Sequence, residues 1–258
     1  MKKPAFTLAE GATHVDMFHD IRKSAFTLAE VLVTLGIIGV VAAMTLPMLA
    51  KNYQFYIRQQ QFKKAYATLS VAVQKTQIDM GEGVRCYYPG WSTSVSRDNT
   101  DCDYFYDELI KNLQLLTKCD GNALEKKCLP KDFPDAGETY ARTQGGNNPT
   151  AAKEQFLLNC NSFSYSNMTT NEDVYVFSDF LFIPNEVTKK AALLILDVNA
   201  HKGPNKWGHD MFVFELKKRK RYDSVFVLEP SQRCHPLDIG GYYTTHFFNY
   251  LYGQNTNY

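Results

Sequence analysis

The sequence predicts an α+β protein in which one long N-terminal helix packs on a small antiparallel β-sheet. Three observations predict this fold class. Residues 31–50 form a run of twenty without a charged side chain, and an amphipathic helical pattern continues from there to Met80. The last third of the chain then holds five short segments, apolar or alternating, that Gly, Pro or Asn residues separate. Such segments are typical of the strands of an antiparallel sheet.

The apolar run is long enough to cross a membrane. Twenty residues of helix rise about 30 Å, the thickness of the hydrocarbon core of a bilayer. Basic residues precede the run, so the positive-inside rule keeps the N-terminus in the cytoplasm and sends the bulk of the chain across. Beyond the run, an apolar stripe recurs at three- and four-residue spacing: Phe62, Tyr66, Leu69 and Val73. We therefore expect one helix from Phe26 to Met80.

The hexapeptide AFTLAE occurs twice, at residues 5–10 and 25–30, and the apolar run follows only the second copy. Only the second copy therefore stands beside a segment that could enter a membrane, so a reaction at the membrane can occur at the second copy and hardly at the first. Glu30 stands at the front of the run, where an ionised carboxylate is costly to bury. Gly36 and Pro47 interrupt the run. These features argue against two simpler alternatives, a secretory signal peptide cleaved near Ala43 and an uncleaved single-pass anchor.

The segment from Arg22 to Pro47, RKSAFTLAEVLVTLGIIGVVAAMTLP, resembles the N-terminus of type IV prepilins, including the pseudopilins of type II secretion. The shared features are a basic leader, a small residue, and then Phe-Thr-Leu-x-Glu at the start of an apolar helix. The resemblance implies that a prepilin peptidase cuts between Ala25 and Phe26 and methylates the new amine of Phe26. Ala25 departs from the family, which usually has Gly before the cut.

The resemblance also implies how the processed chain assembles. Glu30 would pair with the Phe26 amine of a neighbouring subunit and fix the register, because an unpaired charge in a dry helical core is costly. Gly36 and Pro47 would let the helix bend or melt locally as subunits pack. The implied architecture is a pilin-like lollipop in four parts: a cytoplasmic leader (1–25), a transmembrane and polymerisation half-helix (26–50), an amphipathic half-helix (51–80) and an extracytoplasmic globular domain (81–258).

The function that the resemblance implies is that of a structural subunit of a type IV pilus or pseudopilus, without catalysis. The implied partners are the prepilin peptidase, an inner-membrane assembly platform and other pilin-like subunits, first in the inner membrane and then in a filament. The alternative is a membrane-tethered extracytoplasmic binding module or enzyme with an uncleaved anchor. The sequence has no Gly-rich phosphate loop and no HExxH motif that would indicate an enzyme.

The charge balance predicts no specific nucleic-acid partner. Residues 1–25 hold four basic and three acidic side chains, so of the 28 basic and 27 acidic side chains in the whole chain, 24 of each sign would remain after cleavage. A chain without net charge has no electrostatic field that attracts polyanions. The basic run KKRKR (217–221) is typical of a solvated hairpin tip, with polyanion contact as the alternative.

All six cysteines follow the apolar run. An even number on one side of a membrane segment indicates disulfides in an oxidising compartment. Of the fifteen possible pairings we favour Cys86–Cys102, Cys119–Cys128 and Cys160–Cys234, because the first two close short loops. Zinc binding is the alternative, but the sequence has no CxxC pair.

The remainder of the chain predicts a mixture of elements. Tyr104–Cys119 has one apolar face, which predicts a short helix, and residues 119–128 predict a loop closed by its own disulfide. Residues 137–154 are polar and rich in Gly and Asn, which predicts an exposed loop. The aromatic tail, residues 241–258, predicts core or subunit contacts. The predicted strands are Val174–Ser178, Phe180–Ile183, Leu193–Val198, Met211–Leu216 and Ser224–Leu228.

The stretch LDVNAHKGPNKWGHDMFVFEL (196–216) resembles a D-x-N-G…G-P-N…G-x-D-x-F loop of pilin-like proteins, with Ala200 in place of Gly. Calcium takes six to eight oxygen ligands. Four side chains could supply some of them: Asp197, Asn199, Asn205 and Asp210. The alternative is a tight turn in which these side chains bond to the backbone. His201 and His209 flank the loop, and we expect them to be surface or structural residues rather than metal ligands.

Overall fold

The computed structural model of the chain describes residues 27–81, 86, 102–184, 192–219 and 226–253. The chain divides into two compact units, Met1–Lys51 and Asn52–Tyr258. In the first unit the described residues form the start of one long helix, and the second unit holds the sheet and the other helices.

Helix α1 spans Leu28–Met80, 53 residues, and stays helical through Pro47. It ends at Gly81, whose φ of 79° lies in the left-handed region that glycine favours. The Gly81 N–H donates to the carbonyl of Gln77 at 3.1 Å, which closes the last turn. The predicted long helix is confirmed. Its first part is long and apolar enough to cross a membrane, judged by length and composition.

In the second unit, α1 packs on one face of the sheet. Phe62, Leu69 and Val73 are fully buried, so the predicted apolar stripe is the packing face. The ring of Phe62 lies edge-on to those of Phe212 and Phe247, with centroids 4.8 and 5.0 Å away. Edge-to-face packing of this kind adds to the free energy gained by burial alone.

The described part of the chain forms a six-stranded antiparallel sheet in which the order of strands in space is their order in the sequence. Five of the strands lie where the sequence predicts them, except that Ser224 falls outside the described residues. The strands are β1 Thr117–Asp120, β2 Asp173–Val176, β3 Leu181–Pro184, β4 Leu193–Asp197, β5 Met211–Lys218 and β6 Phe226–Pro230.

Both faces of this sheet are buried. In β5, Phe212 and Phe214 belong to the core beneath α1, whereas Met211 and Val213 belong to a second core on the opposite face. Phe156 contributes to that second core. Burial on both faces explains why the central strands are continuous apolar runs rather than alternating ones.

The predicted helix Tyr104–Cys119 is wrong in its second half. Helix α2 spans Cys102–Lys111, and β1 begins at Thr117. The helical spacing of the leucines includes Leu116, which is exposed. Pairing of β1 with β2 at the edge of the sheet overrides the local periodicity there, because strand formation depends strongly on tertiary context.

The predicted exposed loop at 137–154 is also wrong, since most of it is helical. Helix α3 spans Ala136–Gln144 and helix α4 spans Pro149–Asn159. The side chains of Asp135 and Asn148 cap these helices, each accepting the backbone N–H three residues further on at 3.1 Å. Capping of this kind is a sequence signal that composition alone does not reveal.

The aromatic tail forms helix α5, Thr244–Tyr252. Phe247 and Phe248 of α5 are buried in the core beneath α1, while Tyr250 is exposed. The expectation that this segment contributes to the core is confirmed.

Candidate functional site

The start of α1 holds the predicted processing and assembly residues. Ala25 and Phe26 lie outside the described residues. The hydroxyl of Thr27 accepts the N–H of Glu30 at 3.2 Å. In return, the Glu30 carboxylate accepts the N–H and the hydroxyl of Thr27, both at 2.9 Å. This reciprocal arrangement is a capping box, which satisfies N–H groups that the first turn of a helix leaves free.

Glu30 therefore has a local role at the helix terminus that sequence reasoning missed. The signal was present, because Thr27-x-x-Glu30 before an apolar run is the sequence signature of a capping box. A test of Glu30 in assembly has to separate its charge from its hydrogen bonds to Thr27.

Residues 28–50 of α1 present apolar side chains on all sides. Leu35, Ile38 and Leu46, for example, are all at least 60% exposed. A Cβ added at Gly36 would meet no atom within 4 Å. A helix that is apolar all round and uncovered by the other described residues is suited to lipid or to contact with other chains.

Disulfides hold the second unit together. The structure forms the three favoured pairs, Cys86–Cys102, Cys119–Cys128 and Cys160–Cys234, and leaves no free cysteine. The last pair joins residues 74 positions apart, from the end of α4 to the segment after β6. With all six thiols in disulfides, a zinc site built on cysteine is wrong.

The connection between β4 and β5 brings together the four oxygen-bearing side chains that the sequence singles out. The carboxylate of Asp210 accepts the N–H of Asn205 at 2.8 Å and that of Lys206 at 2.7 Å. It also accepts the side-chain amide of Asn199 at 3.2 Å. Asp197 in turn accepts the N–H of Asn199 at 3.0 Å. These bonds fix the backbone of the loop, as a tight turn requires.

Three side-chain oxygens in this loop are buried and have no hydrogen-bond partner among the described residues: Asp197 Oδ2, Asn199 Oδ1 and Asn205 Oδ1. Burial, reinforced by the charge of Asp210, raises the pKa of Asp197 well above its usual value. Burial also raises the pKa of Asp210. A buried carboxyl group with an unpartnered oxygen favours a bound proton or a nearby cation.

One member of this cluster was not found from the sequence. Asp132 accepts the side-chain amide of Asn205 at 2.7 Å. It lies far from the loop in sequence, so no local spacing could reveal it. Within the described residues, no group of three or more His, Cys, Asp or Glu side chains is placed to hold a metal ion. A cation here would therefore depend on amide and backbone oxygens as well.

The two histidines near the loop make structural contacts, as expected. His209 Nδ1 lies 2.9 Å from a guanidinium nitrogen of Arg58, and its Nε2 lies 3.1 Å from the carbonyl of Ile239. His201 Nε2 lies 3.0 Å from the carbonyl of Lys127.

The basic run 217–221 is only partly described. Its first two lysines lie in β5, and Lys217 pairs with Glu229 at 3.1 Å. Lys220 and Arg221 fall outside the described residues, so solvation of a hairpin tip and contact with a polyanion both stay predictions.

Comparison with known proteins gives one match. A family model described as the prokaryotic N-terminal methylation motif matches residues 21–46. No curated protein and no solved structure matches the chain. The match covers the second AFTLAE copy and most of the apolar run, where the sequence resembles prepilins. The chain therefore carries the prepilin-type cleavage and methylation motif at the start of α1.

Proposed function

Because the chain carries this motif on an exposed apolar helix, we propose that it is a structural subunit of a type IV pilus or type II secretion pseudopilus. A prepilin peptidase cuts between Ala25 and Phe26, and the processed chain polymerises through α1. The coincidence of the motif with an apolar helix that its own chain leaves uncovered is the observation that carries this proposal. The chemistry at the N-terminus is performed on the protein by another enzyme, and the protein itself catalyses no reaction.

The proposal gives the apolar half of α1 two successive environments. Before assembly it spans the inner membrane, with the basic leader in the cytoplasm and the disulfide-bonded unit on the other side. An inner-membrane platform then transfers it into a filament, where neighbouring pilin-like subunits replace lipid around the helix.

Glu30 has a specific task in the filament. Cleavage creates an α-amine on Phe26 that is largely positive at neutral pH. Pairing of that amine with Glu30 of a neighbouring chain satisfies both charges in an apolar core. A subunit one position out of register leaves both unpaired, and that penalty selects the correct register.

The first experiment is the mass and N-terminal residue of the protein recovered from membranes. We expect a chain that begins with methylated Phe26. A chain that still carries Met1 would contradict processing and would favour a tethered binding module or enzyme with an uncleaved anchor.

The second experiment separates the charge of Glu30 from its capping role. Glu30→Gln keeps an oxygen that can accept the Thr27 N–H but removes the charge, so we expect a stable membrane protein that fails to enter filaments. Thr27→Ala removes the cap and keeps the charge. It should cost about 1 kcal/mol of helix stability and still assemble. Assembly of Glu30→Gln at the normal level in sheared filament fractions would show that the charge has no role in register.

We also propose that the β4–β5 loop binds calcium. Its support is the set of buried oxygens without a partner on Asp197, Asn199 and Asn205, which offer hard ligands of the type that calcium takes. These residues would hold the ion together with backbone carbonyls, and the ion would neutralise the buried Asp197 carboxylate.

Thermal unfolding in calcium and in chelator tests this proposal. Calcium at about one hundred times its Kd should stabilise the folded protein by about 2.7 kcal/mol, and Asp197→Asn should abolish the difference. Asp179→Asn, which changes an exposed carboxylate, is the matched control and should keep it. If calcium has no effect, and the protein gains stability relative to Asp197→Asn as pH falls through the raised pKa of Asp197, a proton rather than a cation neutralises this carboxyl group.

A further inference from the structure

Four exposed tyrosines of the second unit lie near Phe55, two on α1 and two at α5. Tyr53 and Tyr56, on α1, are 63% and 57% exposed. Tyr242, just before α5, and Tyr250, within α5, are 46% and 67% exposed. We call these four residues the tyrosine belt.

Phe55 holds the two parts of the belt at the same position along helix α1. Its ring centroid lies 5.9 Å from that of Tyr242 and 6.1 Å from that of Tyr250. On its inner side, Phe55 lies 6.0 Å from the buried ring of Phe247. Tyr242 and Tyr250 are therefore fixed beside the same turn of α1 that carries Tyr53 and Tyr56.

The belt also follows closely on the apolar run in the sequence. Phe55 is five positions beyond Ala50, which corresponds to a rise of about 7.5 Å in an α-helix. The headgroup layer on one side of a bilayer is about 5–8 Å thick. Tyrosine, with an apolar ring and a polar hydroxyl, is enriched at this level of a membrane.

The charges near the belt suit a phospholipid surface. Residues 51–58 include Lys51 and Arg58 but no carboxylate. Residues 239–253 contain no Asp, Glu, Lys or Arg, and they begin with Ile239, which is 85% exposed. Such a surface can enter the headgroup layer without desolvating an acid, and its cations are attracted to anionic lipids.

We propose that the tyrosine belt of the unassembled subunit lies in the phospholipid headgroup layer, so that the second unit is docked on the membrane surface. This inference rests on the proposed function, because it requires the first half of α1 to be in the membrane. When the subunit enters a filament, the belt would then leave the lipid together with the apolar run.

Tryptophan scanning of the full chain in vesicles of phosphatidylcholine and anionic phosphatidylglycerol tests the proposal. The acyl chains are brominated near the headgroup, since bromine quenches tryptophan at that depth. We expect the emission of Tyr250→Trp to be quenched and shifted to the blue. The emission of the unsubstituted chain, which has two tryptophans, is subtracted.

Tyr104→Trp is the matched control. Tyr104 is 60% exposed and lies on α2. Asn112, which directly follows α2, donates to the hydroxyl of Thr76 on α1 at 3.0 Å. Thr76 is 21 residues beyond Phe55, about 32 Å along the helix. Tyr104→Trp should therefore show neither quenching nor a blue shift.

Ile38→Trp, within the apolar run, reports insertion of the helix itself, measured in matched vesicles whose acyl chains are brominated near the centre of the bilayer. Quenching at Ile38→Trp without quenching at Tyr250→Trp overturns the belt and leaves the proposed function intact. Absence of quenching at both positions contradicts membrane anchoring, and with it both proposals. A blue shift at Tyr250→Trp without quenching means that protein rather than lipid covers the ring, which also overturns the belt.

Discussion

The two halves of helix α1 share one backbone geometry but depend on different surroundings. Between Phe62 and Thr76, the helix buries a full stripe of side chains against its own sheet. Between residues 28 and 50, it leaves leucines, isoleucines and valines uncovered. The partners of the second half are therefore visible within the chain. For the first half the described residues provide no such cover, and its surroundings are inferred from the apolar surface and from the motif.

The largest expected difference between the halves is in the cost of removing an apolar side chain. Phe62→Ala leaves a cavity among Phe212, Phe214 and Phe247, and should lower the free energy of unfolding by about 3–5 kcal/mol. Leu35→Ala, at an exposed position, should change it by less than about 0.5 kcal/mol in detergent. Denaturant unfolding followed by near-ultraviolet circular dichroism measures both. Equal costs would mean that the first half is packed on its own chain after all.

A pH titration is a second test of the comparison between the two halves, and its expected effect on stability is smaller. Burial lowers the pKa of His235, in the second unit, to about 3, so between about pH 6.5 and 3 the unfolded chain holds a proton that the folded chain does not. The contribution of His235 to the free energy of unfolding should therefore fall as pH decreases, by about 3 kcal/mol near pH 4.5, while residues 28–50, which contain no histidine, keep their helical signal.

The matched variant for this titration is His235→Gln, which can still accept the hydroxyl of Thr244, 3.2 Å from His235 Nδ1. It should remove most of the pH dependence. The raised pKa of Asp197 acts in the opposite sense in both proteins, so the difference between them isolates the histidine. Identical titrations of the two proteins would show that His235 does not control acid stability.

The smallest expected effect on the single chain is at Gly36. Because a Cβ there meets nothing, Gly36→Ala should stabilise the helix by about 0.5–1 kcal/mol. If Gly36 lets the helix bend or melt locally as subunits pack, the same variant should lower the filament fraction, whereas Gly39→Ala, which is equally open in the single chain, provides the comparison. Normal assembly of Gly36→Ala would show that assembly does not need this flexibility.

The parts of the fold that the sequence predicted correctly depend on local pattern. The stripe on α1, the five apolar strands and the short disulfide loops all leave a periodic or closely spaced signal. The predictions are wrong where the conformation of a segment depends on pairing with a distant strand or on a helix cap. Strand β1 has four residues, and its conformation depends on β2, more than fifty residues later. Helices α3 and α4 depend on the caps at Asp135 and Asn148, which a polar composition conceals.

The same distinction applies to the candidate site. The capping box of Thr27 and Glu30 spans three residues and is readable from the sequence. The bond from Asn205 to Asp132 joins residues 73 positions apart and is not. The methylation motif is readable from residues 21–46, but the described residues leave the apolar run uncovered, and the sequence of one chain does not describe what surrounds it.

The contact between Phe62 and Phe247 has a consequence for the order of folding. Each strand pairs with its neighbour in the sequence, so the sheet can grow as the chain is made. Helix α1 is synthesised first, yet its packing partners come later: Phe212 and Phe214 belong to β5, and Phe247 of α5 follows Phe62 by 185 residues. Until these elements are made, the packing stripe of α1 stays open to water and to other chains, and such exposed surface is prone to aggregation. A cell that makes this protein has to protect this stripe of its first helix until most of the chain is complete.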